Sequence, residues 1–244
     1  MTSDKKIECA EHGDQDGTFV CIHLVAGVGQ GFHHGYDDDD PDAMFPDAWC
    51  DACEAVLEEE DGWTERLKAA MDIQLLCAGC YMDRRRLNWP GATFADQEEL
   101  IQESIAYLQE RQDEVIGEFR LTEHERFYWE QGTGQIVFSN RGVDVVRADF
   151  DFIGSISKNS DTWLWSWANT SDDARLKQST QQVRDYGEEH RLLKLACAMW
   201  PARETDGWEM SAVTARLLGA QAVYRTPNDK LLSFLLLRNL RWVQ

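Results

Sequence analysis

The sequence predicts an α+β protein in two parts. Residues 1–90 form a metal-stapled module, and residues 91–244 form an antiparallel β-meander packed against helices. Three observations predict this. Four short pairs of metal-ligating residues crowd the first eighty positions: Cys9-x-x-His12, Cys21-x-His23, Cys50-x-x-Cys53 and Cys77-x-x-Cys80. Apolar residues recur at near-helical spacing from Leu100 to Val115, and from Phe127 the period switches to two. The links between the later period-two segments are short, which favours antiparallel neighbours.

In the first part, Gly17–Val25 reads as a strand rich in β-branched and aromatic residues. A Gly-rich, acidic loop follows from Gly27 to about Asp47 and contains the run Asp37-Asp38-Asp39-Asp40-Pro41. Asp51–Glu60 reads as a short helix beginning on the third ligand pair. Thr64–Leu76 reads as a second helix, with Leu67, Met71 and Leu75 at helical spacing. Asn88-Trp89-Pro90-Gly91 is a turn and marks the boundary between the two parts.

In the second part, Ala95–Gly117 reads as a long helix. Phe127–Glu130, Gln135–Asn140, Val143–Phe152 and Thr162–Ala168 read as successive strands. Gly132-x-Gly134, Asn140-Arg-Gly142 and Lys158-Asn159-Ser160-Asp161 supply the turns between them. Asp172 or Asp173 caps a helix that runs through His190. A further helix spans Trp208–Val223, and Asn228-Asp229 turns the chain into a last strand, Leu231–Val243.

The eight paired ligands are enough for two tetrahedral sets, the requirement of closed structural zinc sites. Soft thiolate pairs such as Cys50/Cys53 and Cys77/Cys80 select zinc, and small Ala78 and Gly79 let the backbone fold around a cation. Cys9 and His12 make a mixed pair. Cys21 and His23 share one face if their segment is a strand. Sequential and cross-braced groupings both suit the spacing. Two structural zinc ions are therefore expected on Cys9, His12, Cys21, His23, Cys50, Cys53, Cys77 and Cys80. Cys197, in Leu-Ala-Cys-Ala-Met, reads as a buried core thiol.

The net charge is -20, and residues 1–90 alone hold 20 acidic against 7 basic side chains. Such a surface repels nucleic acid and anionic membranes, and it speeds association with basic partners. Arg84-Arg85-Arg86 runs against that charge and reads as a complement to a helix C-terminus or as a salt-bridge face. The opening Met1-Thr-Ser-Asp-Lys-Lys lacks an apolar leader core, and Arg238 interrupts the longest apolar run. The expected compartment is the reducing cytoplasm, where cysteine pairs bind metal more often than they form disulfides.

Trp163, Trp165 and Trp167 fall at i, i+2 and i+4, so they share one face of a strand. Such a row is either core or an aromatic floor for a partner. Gly154-Ser155, a polar turn, and then Trp163-x-Trp165-x-Trp167-Ala168-Asn169 resemble the signature of an uncharacterised bacterial domain family, over about residues 95–244. The N-terminal Cys/His pattern is similar to small bacterial zinc-ribbon-like modules. These resemblances imply no activity. They do imply a bacterial source, in which acidic proteins accompany toxins as antidotes.

The leading functional expectation is a binding protein, specifically an immunity protein that occludes a basic, nuclease-like toxin. Its partner-binding residues would be Asp37, Asp38, Asp39, Asp40, Asp42, Glu58, Glu59, Glu60 and the three tryptophans Trp163, Trp165 and Trp167. The alternative is a metal-dependent enzyme, with His33, His34 and the Asp run as an open metal centre or with a site on the tryptophan sheet. No catalytic residues are assigned.

Overall fold

The structure is a computed structural model that describes residues 6–37, 39–40, 43–91, 97–130, 132–169, 174–204, 207–226 and 231–243. It is α+β, and its contacts divide the chain into two units, Met1–Ala92 and Thr93–Gln244.

In the first unit, β1 (Lys6–Cys9) and β2 (Gly13–Val20) form a hairpin. Its turn uses Gly13 at φ 68°, a left-handed conformation that glycine adopts without strain. Helix α1 (Ile22–Ala26), β3 (His33–Gly35), β4 (Asp47–Trp49), α2 (Asp51–Glu60), α3 (Glu65–Met71), β5 (Gln74–Cys77) and α4 (Ala78–Asn88) follow. Strand β2 is the hub. Its second half pairs antiparallel with β5, and its last residue, Val20, pairs in parallel with Ala48 of β4. Leu24, Leu67, Met71 and Tyr81 pack into one core between these strands and the helices.

Two expected elements end early here. The strand expected through Val25 stops at Val20: Cys21 donates to Ala48 O, and Leu24 N–H then bonds Cys21 O, opening α1. The helix expected through Leu76 stops at Met71. Thr64 caps its start by accepting from Leu67 N–H, and Asp72 at φ 43° ends it. Gln74–Cys77 then pairs with Gly17–Val20 as a strand, so inter-strand hydrogen bonds override the helical spacing of Leu75.

In the second unit, α5 (Glu98–Phe119) precedes β6 (Arg126–Glu130), β7 (Gln135–Asn140), β8 (Val143–Ser157) and β9 (Thr162–Trp165). After a 3-10 turn at Ser166–Ala168 come α6 (Ala174–Glu189), α7 (Leu193–Ala196), β10 (Met199–Pro201), α8 (Gly207–Leu218), β11 (Ala222–Arg225) and β12 (Leu231–Trp242). All seven strands join one antiparallel sheet. Long β8 organises it: one edge pairs with β7 and then β9, and the other pairs with β12 along most of its length. Phe138, Val146, Leu235 and Leu237 meet Val115 and Phe119 of α5 in the core.

The helix expected over Trp208–Val223 closes at Leu218. Gly219 at φ 66° turns the chain, and Ala222–Arg225 becomes β11. The expected start at Ala95 and the caps Asp172 and Asp173 lie outside the described residues. Among the described residues no helix is long and apolar enough to cross a membrane.

The tryptophan row is corrected on two points. Strand β9 ends at Trp165, so Trp167 sits on the 3-10 turn and the three indoles do not form one strand face. All three are buried, at 0%, 0% and 1% exposure, so Trp163, Trp165 and Trp167 are core and not a partner-binding surface. Trp163 stacks on Trp200 at 5.6 Å, and Trp165 Nε1 donates to Lys194 O at 2.9 Å. Burying such large rings outweighs exposing them as contacts.

Gly154 explains the close fit of this core. A Cβ there would lie 2.6 Å from Leu164 O and 2.7 Å from the Trp163 ring. Gly154→Ala is therefore expected to destabilise the second unit by about 1–3 kcal/mol through overpacking. Gly117→Ala, in α5 where an added Cβ would enter open space, is expected to stabilise it by about 0.5 kcal/mol. Urea denaturation of the two variants checks both signs.

Candidate metal centres

The eight paired ligands gather into two groups of four. Cys9, His12, Cys77 and Cys80 form one, and Cys21, His23, Cys50 and Cys53 form the other. Within each group the ligand atoms lie within 4.8 Å of one another. Among the described residues these are the groups of Cys, His, Asp and Glu able to hold a metal ion.

The grouping is nested, with the outermost pairs together and the inner pairs together. It is neither the sequential nor the cross-braced arrangement that the spacing allows, and each group is Cys3His. Strand β2 dictates it. Its register against β5 places Cys77 opposite Gly17, beside the hairpin turn that carries Cys9 and His12. Its parallel contact with β4 places Cys21 and His23 beside Cys50 and Cys53. The two groups sit toward opposite ends of this eight-residue strand.

Three of the four pairs start helices. Cys21, Cys50 and Cys77 are the N-caps of α1, α2 and α4, where unpaired backbone N–H groups favour negative charge. Cys80 N–H donates to Cys77 Sγ at 3.3 Å. The fourth pair sits at the β1–β2 turn, where Cys9 ends β1 and His12 lies in the turn. Cys21 and His23 thus straddle a helix start and do not share a strand face.

The first group passes a geometric test. His12 Nδ1 lies 3.4, 3.6 and 3.7 Å from the sulfurs of Cys77, Cys80 and Cys9, and the Cys9 and Cys80 sulfurs are 3.9 Å apart. A tetrahedral cation with zinc-like bond lengths needs edges of about 3.6 Å for S···N and about 3.8 Å for S···S. In the second group, His23 Nδ1 lies 3.4 Å from Cys53 Sγ.

The thiol electrostatics fit the same occupant. Burial, then neighbours Cys77 and Cys9, push Cys80 up to about 12. Burial and then the thiols of the same group push Cys21 and Cys53 upward. Cys9 is the exception, brought down to about 6 by backbone N–H donors of Glu11 and His12 and by the His12 ring. Crowded thiols oppose one another's ionisation, and a dication among them reverses that and releases their protons.

Support around the first group was not legible in the ligand spacing. A Cβ on Gly79 would strike the His12 ring at 2.5 Å, so this glycine makes room for the imidazole. Gln15 Oε1 accepts from Gly79 N–H at 2.7 Å. Near the second group, buried Asn88 donates to Leu24 O and Arg84 O and ties α1 to α4. Arg85 is also buried, with Phe32 and Trp89 rings at 5.5 and 5.0 Å, so the Arg84–Arg86 run is partly core.

Among the described residues, His33 and His34 form no metal-holding group with Asp37, Asp39 or Asp40. His33 Nε2 lies 2.7 Å from Asp51 Oδ1, its Nδ1 lies 3.8 Å from Glu54, and the pair ties β3 to α2. His34 packs edge-on against Tyr36 at 5.2 Å. Asp37, Asp39 and Asp40 are exposed in a tight turn, while Asp38 and Asp42 lie outside the described residues. Glu58 and Glu59 are exposed. Glu60 is half-buried, and Glu59 and Glu60 both pair with Arg66.

A family model described as a family of unknown function (DUF6882) matches residues 98–240, within the second unit. No curated protein and no solved structure matches the chain.

Metal analysis of variants tests the nested grouping. Cys9→Ser/Cys80→Ser is expected to lose one metal equivalent, and Cys9→Ser/Cys21→Ser to lose both. Sequential sites would give the reverse. Cys77→Ser is expected to cost several kcal/mol of folding free energy, and Cys197→Ser, a buried thiol outside both groups, much less.

Proposed function

The chain belongs to DUF6882, a family of unknown function, and we propose that it is an acidic protein-binding protein built on two structural zinc ions. One observation supports this reading above the others. Every ligand pair of the first unit is used in one of two complete four-donor sets. Such sets leave no position for a substrate, so the metals hold a scaffold and its surface does the work. Thiolate-rich tetrahedral donors favour zinc. All seven cysteines are free thiols and six belong to these sets, which suits a reducing compartment such as the cytoplasm.

The surface suits a cationic partner. Net charge is -20, and Asp37, Asp39, Asp40, Glu58 and Glu59 are exposed on the first unit. The same unit has an apolar groove of about 190 Å³, where 51%-exposed Trp63 packs edge-on against Trp49 and Ile73 lies on the wall. Acidic side chains steer a basic protein in, and an indole beside a groove anchors it. The specific version is an immunity protein that covers the phosphate-binding surface of a nuclease-like toxin.

The test is co-expression with the products of adjacent genes. The expected result is rescue from a toxic neighbour and a purified complex whose association rate falls with salt. Replacing Asp37, Asp39 and Asp40 by Asn is expected to slow association by about tenfold, the scale of electrostatic steering. If no neighbour is toxic, or a toxic one forms no complex, the immunity reading is wrong.

A further inference from the structure

We propose that the second unit carries a binding site for a small amphipathic anion, an apolar body bearing one carboxylate, in a cavity between β6 and β11. This goes beyond the protein-binding reading and does not depend on it.

The cavity comes from the way the sheet curls. Among the described residues, β6 pairs with β7 alone and β11 with β12 alone, so they are edge strands of the sheet. Yet the rings of Phe127 on β6 and Tyr224 on β11 are 5.3 Å apart, and Phe138 of β7 lies 5.4 Å from Tyr224. The sheet bends until its two edges face each other across side chains, with no ladder to close the gap. The resulting cavity measures about 580 Å³, within the roughly 300–1,000 Å³ of small-molecule sites.

Its lining separates by chemistry. Leu121, Phe127 and Phe138 supply an apolar wall with aromatic edges and faces. The Tyr224 hydroxyl has no hydrogen-bond partner among the described residues. Burial alone raises it to about 12, so it stays protonated and able to donate. Arg126 and Arg225 are exposed at the rim. Neither pairs with a carboxylate among the described residues, although the chain has a large acidic excess. Arg225 lies 5.8 Å from the Trp208 ring.

Two other polar side chains of the lining are already engaged. Glu125 accepts from Arg141 N–H at 2.8 Å, and His124 is held between Phe119 O and Asn140. Two guanidinium groups against one committed carboxylate leave a net positive rim over an apolar interior. An arginine guanidinium recognises a carboxylate through parallel N–H donors.

The test titrates the full chain with 4-phenylbutyrate and with its neutral counterpart 4-phenylbutanol, followed by calorimetry and by amide chemical shifts. The expected result is saturable binding at one site, with the carboxylate at least tenfold tighter. Arg126→Ala/Arg225→Ala is expected to bring the carboxylate down to the affinity of the alcohol and leave the alcohol unchanged. Thr122→Trp, which plugs the cavity from an exposed position, is expected to abolish both. Unfolding midpoints matching the parent show that the variants fold. The proposal is overturned by absence of saturable binding, by equal affinity for the two probes, or by binding that survives Thr122→Trp.

Discussion

The first unit depends on the pairing of one strand. Strand β2 bonds to β1, β5 and β4 in turn, and those three contacts bring together ligand pairs that are far apart in the chain. Cys9 meets Cys80 across 71 positions, while Cys21 and His23 meet Cys50 and Cys53 just beyond the other end of the strand. Without a cation, burial and neighbouring thiols hold Cys21, Cys53 and Cys80 back from ionisation. With one, the same crowding becomes coordination, and the loops between the pairs are closed at both ends.

The second unit reaches stability by other means. Its core is a long sheet that packs against α5 and whose β9–β10 end buries Trp163, Trp165 and Trp200. Large rings in contact bury much apolar area, and glycine at 154 lets a strand backbone approach them. The bend that wraps the sheet also brings β6 and β11 face to face without joining them. A cavity at the seam of an incompletely closed sheet is a consequence of that curvature, and its arginine rim stands apart from the acidic surface elsewhere.

Local pattern predicted local structure well where one element is decided by its own residues. Helix Asp51–Glu60 and strand Gln135–Asn140 appear with the expected ends, because capping geometry and alternation act within a few residues. The helices expected over Thr64–Leu76 and Trp208–Val223 end early because their last residues pair as strands, the first with β2 more than fifty positions back and the second with β12 across a short hairpin. Spacing cannot report a partner that lies fifty positions away. The same limit applies to Arg85, which looks like a surface charge in a basic triplet and is in fact buried between aromatic rings.

The amino-acid sequence by itself determined which residues can ligate a metal, the charge of the surface, and the division into a Cys/His-rich part and a sheet-forming part. Those properties follow from residue type and short-range spacing. Only the tertiary structure decided that the ligands nest as two Cys3His sets, that the tryptophans are interior, and that two arginines border a cavity. Each of these depends on strand register and sheet curvature, which are set by hydrogen bonds and packing between segments distant along the chain.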